Sequence, residues 1–419
     1  MQAIWDHAHI IIKEAIRRVL PEEAVKRALA DCPDGPAYVV AIGKAAWKMA
    51  AAAADSLGGR LRSGIVITKY GHSEGPIEGM EIIEAGHPVP DENSVKAARR
   101  ALALADSLTR EDRLIFLISG GGSALFELPL DGVTLDDLAE LTKRLLACGA
   151  DITEINAIRK HLSAVKGGRF AMRCAPAQVL AIVLSDVLGD PLDAIASGPA
   201  YPDGSTSEAA LGLLKKYGIP AGEGVRRAML LETPKTLDNV LSKITGNVNA
   251  LCQGGMEAAA RLGYAPLLLS TTLDCEARDA GAFLASIARQ IHATGAPVKP
   301  PCAVILGGET VVHLKGDGKG GRNQELALAA AKGIAGLPQT ALFSVGSDGT
   351  DGPTDAAGGI VTGGFMDVCA QMGLSVDAAL SNNDAYPLLK KAGGLIVTGP
   401  TGTNVNDLTV LLCGQPFLS

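Results

Sequence analysis

Several kinds of residue and segment are scarce in this chain of 419 residues, and each shortage excludes a class of protein. Aromatic residues make up only 4%, the formal net charge is −7, and no basic stripe is interleaved with aromatics, so nucleic acid is disfavoured as a partner. No run approaches the ~18 uninterrupted apolar residues of a membrane span, so we expect no membrane partner. No small-residue cleavage site follows the amphipathic first twenty residues, so we expect no signal peptide.

Paired cysteines and the common nucleotide-binding motifs are also lacking. The eight cysteines form no Cys-x-x-Cys pair and no cluster of zinc spacing, which predicts reduced thiols in a cytoplasmic protein. No G-x-x-x-x-G-K-[ST] motif is present, which excludes a Walker-type loop. The segment GGGSAL matches only part of the dinucleotide fingerprint, because leucine takes the sixth position and no acidic residue follows at the required distance. Its serine does not lie in G-x-S-x-G, so we do not predict a nucleophile there.

What the sequence does contain is an alternation of short β-branched runs with longer alanine- and leucine-rich stretches. This alternation predicts an α/β fold with a largely parallel sheet and helices on both faces. Two of the helices should begin after the N-caps Asp91 and Thr134. The chain length favours two domains, and residues 187–240, rich in Pro, Gly, Asp and Ser, separate two such series. We therefore predict domains over residues 1–240 and 241–419.

Glycines followed by polar residues end several predicted strands, at the edge where open α/β sheets bind ligands. They are Gly43 and Lys44, then Gly120, Gly121, Gly122 and Ser123, then Gly307 and Glu309, and finally Asp348 in the turn GSDGTDG. Backbone N–H groups and charges in such loops suit an anionic ligand. For any one of these glycines, a purely structural turn is the alternative.

Two cationic residues stand at predicted helix N-termini. Lys44 opposes the helix dipole there unless an anion lies nearby, and the alternative is a solvated surface charge. Arg322 ends the glycine-rich segment GDGKGGR and precedes Asn323, and its guanidinium suits bidentate binding of phosphoryl or carboxylate oxygens. The alternative for this segment is a mobile hairpin tip.

Carboxylates cluster after two of the predicted strands. They are Asp186, Asp190 and Asp193 after one strand, and Asp348, Asp351 and Asp355 after another. Such groups beside phosphate-binding loops suit Mg²⁺, which proteins hold through one or two carboxylates and water. Capping of turns is the alternative role. Asp186 and Asp351 are our candidates for a metal or catalytic role.

Six separated motifs, taken together, resemble one family. They are AIGKAAWKMA, LISGGGSALF, INAIRKHLSAVKGGR, VLSDVLGDPLDAIASGP, GGETVVHLKGDGKGGRNQELAL and GSDGTDGPTDAAGG. The set resembles the glycerate 2-kinases with a MOFRL-type C-terminal region, formerly often labelled hydroxypyruvate reductases. The resemblance extends from Gly43 to Asn406 in the order of the family.

The resemblance implies ATP-dependent phosphorylation of D-glycerate at its 2-hydroxyl, giving 2-phosphoglycerate, with Mg²⁺. It implies two three-layer α/β/α domains, one Rossmann-like and mostly parallel, the other with a mixed sheet, and an interdomain cleft. It makes Lys44 and Arg322 central to the site. Beside them, Asp186 or Asp351, the candidates from the residues themselves, would place Mg²⁺ or accept the hydroxyl proton. The alternatives are an NAD(P)H-dependent hydroxypyruvate reductase, which the incomplete dinucleotide fingerprint disfavours, and a non-catalytic binding module. Whether the protein is a monomer or a homo-oligomer is left open.

Overall fold

A computed structural model describes residues 2–187, 189 and 191–416 of the chain. They form two compact α/β units, each built on a six-stranded sheet. The N-terminal unit comprises Pro21–Ser185 and the described part of Asp190–Thr245. The C-terminal unit comprises the described parts of Met1–Leu20, Asp186–Gly189 and Gly246–Ser419. The predicted α/β fold with two domains is confirmed, whereas the cleft between them stays a prediction.

The strands of the N-terminal unit lie in the order β3-β2-β1-β4-β5-β6. They are β1 (Ala37–Ile42), β2 (Leu61–Lys69), β3 (Met80–Ala85), β4 (Arg113–Ile118), β5 (Gln178–Leu184) and β6 (Val240–Gly246). β1 pairs in parallel with β2 and β4, β2 with β3, and β4 with β5. Ile42 pairs with both Ile67 and Ile118, so the turns that follow β1, β2 and β4 meet at one edge of the sheet.

The C-terminal unit has a mixed sheet with the order β11-β10-β9-β12-β8-β7. Its strands are β7 (Ala265–Leu273), β8 (Cys302–Gly308), β9 (Thr340–Gly346), β10 (Gly358–Thr362), β11 (Leu395–Ile396) and β12 (Asp407–Cys413). β7 and β8 are parallel, and β12 runs antiparallel to both β8 and β9. Because of this reversal, Asp407, the first residue of β12, pairs with Gly308 and Gly346 at the ends of the two neighbouring strands.

The α-helices of the described chain cover these sheets. They are α1 (Gln2–Arg18), α2 (Pro21–Leu29), α3 (Ala46–Leu57), α4 (Glu92–Asp106), α5 (Gly122–Leu125), α6 (Leu135–Ala147), α7 (Ile152–Leu162), α8 (Arg169–Arg173), α9 (Ser207–Lys216), α10 (Glu223–Met229), α11 (Val248–Arg261), α12 (Ala277–Thr294), α13 (Arg322–Ala330), α14 (Phe365–Gln371), α15 (Val376–Ser381) and α16 (Ala385–Ala392). The predicted N-caps Asp91 and Thr134 are confirmed, since each side chain accepts a hydrogen bond from the third residue of its helix. None of the helices in the described ranges is long and apolar enough to cross a membrane.

Alternation along the strands of the N-terminal unit buries both faces of its sheet. Val40 and Phe116 belong to the apolar core on one face, whereas Val39 and Ile115 belong to the core on the other. Strands covered on both sides read as continuous apolar runs, which is why these segments were recognisable in the sequence. The layered packing covers both faces of the sheet and directs attention to the strand ends, where open α/β sheets bind ligands.

The first helix belongs to the C-terminal unit, although it precedes the whole N-terminal unit in the chain. Ile4, Ile11 and Ala15 on its apolar face are buried in one core with Leu251 of α11 and Val410 of β12. An amphipathic pattern predicts a helix but does not identify the surface that its apolar face covers. The two units are therefore not separated by a single cut near residue 240. The domain boundary between residues 240 and 241 stays a prediction.

Candidate active site

Lys44 lies in the turn between β1 and α3, at the edge where the strands end. Its backbone N–H donates to the carbonyl oxygen of Gly120 at 2.9 Å, and the Ala45 N–H donates to Ser119 Oγ at 3.2 Å. The N-cap of α3 is Ala45, which offers no side-chain acceptor to the helix. Among the residues that the structure describes, none forms an ion pair with the Lys44 ammonium. This half-buried cation at an uncapped helix start is thus available to an anion.

The turn GGGS, residues 120–123, lies beside Lys44. Gly121 has a φ of +85°, and an added Cβ would lie 3.0 Å from His87 Cδ2 and 3.2 Å from Lys44 Cγ. Lys44 and His87 therefore flank the bare backbone of Gly121. Burial, followed by the charge of Lys44, lowers the pKa of His87, so its imidazole is neutral near pH 7.

Ser123 is joined to a chain of hydrogen bonds within the N-terminal unit. Its Oγ lies 3.0 Å from Ser197 Oγ, which in turn donates to Asn156 Oδ1 at 3.2 Å. Both Ala196 and Ser197 have positive φ values, 52° and 60°. Strained backbone of this kind is concentrated at functional sites, which makes Ser197 a residue of interest that the sequence did not single out.

Two basic residues of the motif INAIRKHLSAVKGGR bind backbone carbonyl oxygens in and next to the GGGS turn. Lys166 Nζ donates to the carbonyl oxygens of Ser123 at 2.8 Å and Phe126 at 2.9 Å, and Arg159 Nη2 donates to Ser123 at 3.0 Å. Lys166 is fully buried and lies 3.3 Å from a Glu127 carboxylate oxygen. Burial lowers the pKa of Lys166 to about 8, although the charge of Glu127 opposes the shift. Two cations thus converge on one carbonyl oxygen of the turn.

Arg322, the first residue of α13, meets two carboxylates in the C-terminal unit. Its Nε and Nη2 donate to the two oxygens of Asp407 at 2.6 and 2.9 Å, and Nη1 lies 3.0 Å from Glu309 Oε1. Burial favours the neutral guanidine, but the hydrogen bonds and charge of Asp407, followed by the charge of Glu309, outweigh it and raise the pKa of Arg322. The guanidinium is therefore fixed in place and permanently charged.

Asn406 connects this pair to Asp186. Its Nδ2 donates to Glu309 Oε2 at 3.0 Å and to the backbone carbonyl oxygen of Asp186 at 3.2 Å. Asn406 is buried and has a φ of +68°, a conformation that asparagine tolerates better than most residues. The sequence pointed to Glu309, Arg322 and Asp186. The structure brings these residues together through Asn406 and Asp407, which the sequence did not suggest.

The glycine-rich segment before Arg322 is docked onto residues 382–386. An added Cβ at Gly316 would lie 2.2 Å from Asn382 Oδ1, and one at Gly318 would lie 2.3 Å from the Asn382 carbonyl oxygen. Asn383 Oδ1 accepts the N–H groups of Lys315 and Gly316 at 2.7 and 3.2 Å. The glycines therefore permit close packing, and the segment does not form the free hairpin tip that the sequence left open as an alternative.

Two family models match the chain: a domain of unknown function (DUF4147) over residues 7–230, and the MOFRL family over residues 302–407. A D-glycerate 2-kinase of Thermotoga maritima is 56% identical, over 96% of this chain and 96% of that protein. The chain belongs to the glycerate 2-kinase family. A glycerate 2-kinase of Pyrococcus horikoshii is 42% identical, over 96% of each chain. A crystal structure of the Thermotoga maritima glycerate kinase matches with a TM-score of 0.96 at 55% identity, over 99% of this chain and 100% of that one.

Family membership confirms the resemblance that the six motifs carried, but the role of each residue rests on geometry. Asp351 Oδ1 and Oδ2 accept the backbone N–H groups of Asn323 and Gln324 at 3.1 and 2.9 Å, so this buried carboxylate caps α13. Burial raises the pKa of Asp351 to about 6. Asp348 Oδ1 accepts the N–H of Thr350 at 2.9 Å, as in an ordinary turn.

The remaining residues that the sequence suggested for the site lie outside the groups around Lys44 and Arg322. Gly307 lies inside β8, where an added Cβ would be 2.4 Å from Val248 Cγ2, so its role is in packing. Asp193 pairs with the buried Lys160 at 3.2 Å, and Asp355 accepts a hydrogen bond from the Tyr386 hydroxyl at 2.6 Å. Asp190 lies outside the described residues.

The fit of the chain to Mg²⁺ depends on which carboxylates have oxygens to offer. In the described part of the chain, no three His, Cys, Asp or Glu side chains converge as a metal site. Both oxygens of Asp351 bind helix N–H groups, and Asp407 is committed to Arg322. Asp186 is half-buried beside this cluster and its backbone is anchored by Asn406. Because Mg²⁺ needs only one or two carboxylates when phosphate and water complete its shell, Asp186 fits that role better than Asp351.

Proposed function

We propose that this chain catalyses the ATP-dependent phosphorylation of D-glycerate at the 2-hydroxyl, giving 2-phosphoglycerate and ADP. The observation that carries the proposal is the Lys44 side chain, which lies beside the bare backbone of Gly121 and whose ammonium has no ion-pair partner in the described chain. Membership of the glycerate 2-kinase family supports the choice of substrates. Mg²⁺ and a cytoplasmic location belong to the same proposal.

Phosphoryl transfer requires positioning and charge neutralisation more than covalent chemistry from the protein. Lys44 binds an anionic oxygen of one substrate at the GGGS turn, with Ser123 Oγ as a hydrogen-bond partner. Arg322, fixed by Asp407, binds another anionic group. The glycerate 2-oxygen attacks the γ-phosphorus, the bond to the β,γ-bridging oxygen breaks, and the proton of the hydroxyl passes to Asp186. When bound, Mg²⁺ would neutralise charge on the phosphates. The alternative role of Asp186 is to bind this ion instead of accepting the proton.

The test is product identification with purified protein. ³¹P NMR of a mixture containing ATP, Mg²⁺ and D-glycerate should show 2-phosphoglycerate, and NADPH should not be consumed with hydroxypyruvate. Consumption of NADPH alone, or a 3-phosphorylated product, would contradict the proposal. Binding of D-glycerate and ATP without turnover would favour a binding module.

The contribution of Lys44 is measured with a matched control. Lys44→Ala should lower kcat/KM by about 10²- to 10³-fold, the usual cost of removing one preorganised charge or donor. Lys48 lies in α3, the helix that follows the Lys44 turn, and pairs with Glu74 at 3.8 Å, so Lys48→Ala removes an equal charge outside the turn. Equal losses in the two variants would remove Lys44 from the mechanism.

A further inference from the structure

The guanidinium of Arg322 has two carboxylate partners that differ in burial. Asp407 binds through two hydrogen bonds of 2.6 and 2.9 Å, and its side chain is only 6% exposed. Glu309 makes a single contact of 3.0 Å, and its side chain is 45% exposed. Since solvent and salt screen an exposed ion pair, Glu309 holds the cation much more weakly than Asp407 does.

We propose that Glu309 is an exchangeable partner of Arg322, occupying the place of a phosphoryl group and leaving when that group binds. The inference rests on the proposed function, in which Arg322 binds an anion. Asp407 stays in place during the exchange, because removing one member of a buried bidentate pair costs far more than breaking an exposed single contact.

The charge of Glu309 decides which ligand can replace it. A monocarboxylate such as D-glycerate would bring Arg322 the same single charge that Glu309 already supplies. Glu309 is tethered in the same unit, so its effective concentration at Arg322 exceeds that of a free carboxylate. A phosphoryl group carries more negative charge and three acceptor oxygens. The exchange therefore selects a phosphoryl group for Arg322 and leaves the carboxylate of glycerate to another cation.

Asn406 holds Glu309 in its resting position. The Asn406 amide donates to Glu309 Oε2 at 3.0 Å and also to the Asp186 carbonyl oxygen at 3.2 Å. When Glu309 leaves, the second hydrogen bond remains, so the Asp186 backbone stays anchored. Departure of Glu309 thus costs one screened ion pair and one hydrogen bond, together about tenfold in the equilibrium constant.

Calorimetric titration of inorganic phosphate into Glu309→Gln tests the exchange directly. Glutamine keeps the shape of the side chain and removes its charge, so phosphate should bind about three- to tenfold more tightly than to the wild type. The control is Glu257→Gln, because Glu257 pairs with Arg18 in the same unit at 2.7 Å with side chains 42% and 33% exposed. This control removes an equal charge and should leave phosphate affinity unchanged.

The same titration in an Arg322→Met background shows where the effect arises. There, the Glu309 substitution should change phosphate affinity no further, and acetate should bind the wild type about tenfold more weakly than phosphate does. Unchanged or weaker phosphate binding by E309Q, tightening that persists without Arg322, or acetate binding as tight as phosphate would each overturn the exchange. If the wild type fails to phosphorylate D-glycerate, the proposed function fails, while the phosphate titrations still decide the exchange.

Discussion

Alanine substitutions at three glycines separate the packing of the Lys44 turn from its function. At Gly43 an added Cβ would lie 2.2 Å from Ser119 Oγ and 2.4 Å from the Ser119 carbonyl oxygen, and the φ of Gly43 is +114°. Rotation of the Ser119 side chain relieves only the first overlap. The backbone at the end of β4 must therefore move to accept the methyl group.

Two costs add for Gly43→Ala. A residue with a side chain held at such a φ costs about 1–3 kcal/mol. Overpacking that displaces backbone typically costs about 1–3 kcal/mol more. We expect the free energy of unfolding to fall by about 3–5 kcal/mol, and the displaced Lys44 turn to lose most of its activity.

The other two glycines provide the contrast. At Gly121 the atoms nearest to an added Cβ, at 3.0 to 3.2 Å, belong to the side chains of His87 and Lys44, which can move. Gly121→Ala should therefore cost only about 1–2 kcal/mol, the strain of its φ, while shifting Lys44 and raising KM. Gly59 has no heavy atom within 4 Å and no positive φ, so Gly59→Ala should be neutral or stabilising by up to about 1 kcal/mol.

Urea unfolding followed by tryptophan fluorescence measures this series. The chain has two tryptophans, of which Trp47 lies in α3, with its Nε1 donating to the Gly75 carbonyl oxygen at 2.8 Å, and Trp5 lies in α1 of the other unit. A Trp5→Phe background makes the signal report on the N-terminal unit alone. A loss below about 1 kcal/mol for Gly43→Ala, or a larger loss for Gly121→Ala, would refute the packing argument.

Three further substitutions test other parts of the two units. The pKa of Lys166, about 8, lies below its ordinary value of 10.5, so the unfolded chain binds more protons between these pH values. The unfolding free energy of the wild type minus that of Lys166→Met should accordingly rise across this window, by up to about 3 kcal/mol, and a flat difference in parallel titrations would contradict the shift. Asn383→Ala should lower the free energy of unfolding, measured in urea, by about 2 kcal/mol, because the N–H groups of residues 315 and 316 lose their acceptor. It should also lower kcat/KM, because these residues belong to the segment that leads to Arg322. Unchanged kinetics would show that Asn383 does not help to position Arg322. Asp407→Asn should cost about 3 kcal/mol and weaken phosphate binding, because Arg322 loses its buried charged partner; tighter phosphate binding would instead show that Asp407 competes with phosphate as Glu309 does.

The parts of the site that the sequence predicted are those whose signal is local. Lys44 and Gly121 could be found because a glycine turn directly follows an apolar run, and Arg322 because it ends a glycine-rich segment. Asp407 could not be found in this way, since it begins an antiparallel strand and reaches the strand ends only through the sheet order. The sequence argument considered residues that directly follow a predicted strand, whereas Asp407 is the first residue of one.

Buried charges were the other residues that sequence reasoning missed. Lys166 lies in a segment rich in basic residues, and lysines are mostly solvated in folded proteins. Its role becomes visible only when the carbonyl oxygens of Ser123 and Phe126 are seen to converge on its ammonium. Asp351 shows the reverse case, because its acidic turn suggested a metal while the fold uses both oxygens to cap α13.

The central position of β12 has a consequence for synthesis of the chain. This strand lies between β8 and β9, yet it follows both of them by more than sixty residues, so the two cannot be joined until it has been made. The helix α1, which is synthesised before the N-terminal unit, buries its apolar face partly against the same late strand. During translation the N-terminal unit can fold before α1 has its packing partner β12. The ion pair between Arg322 and Asp407 likewise forms only after Asp407, near the end of the described chain, has been made. A truncation just before Asp407 would therefore remove a central strand, a cover for the first helix and the buried anchor of the guanidinium together.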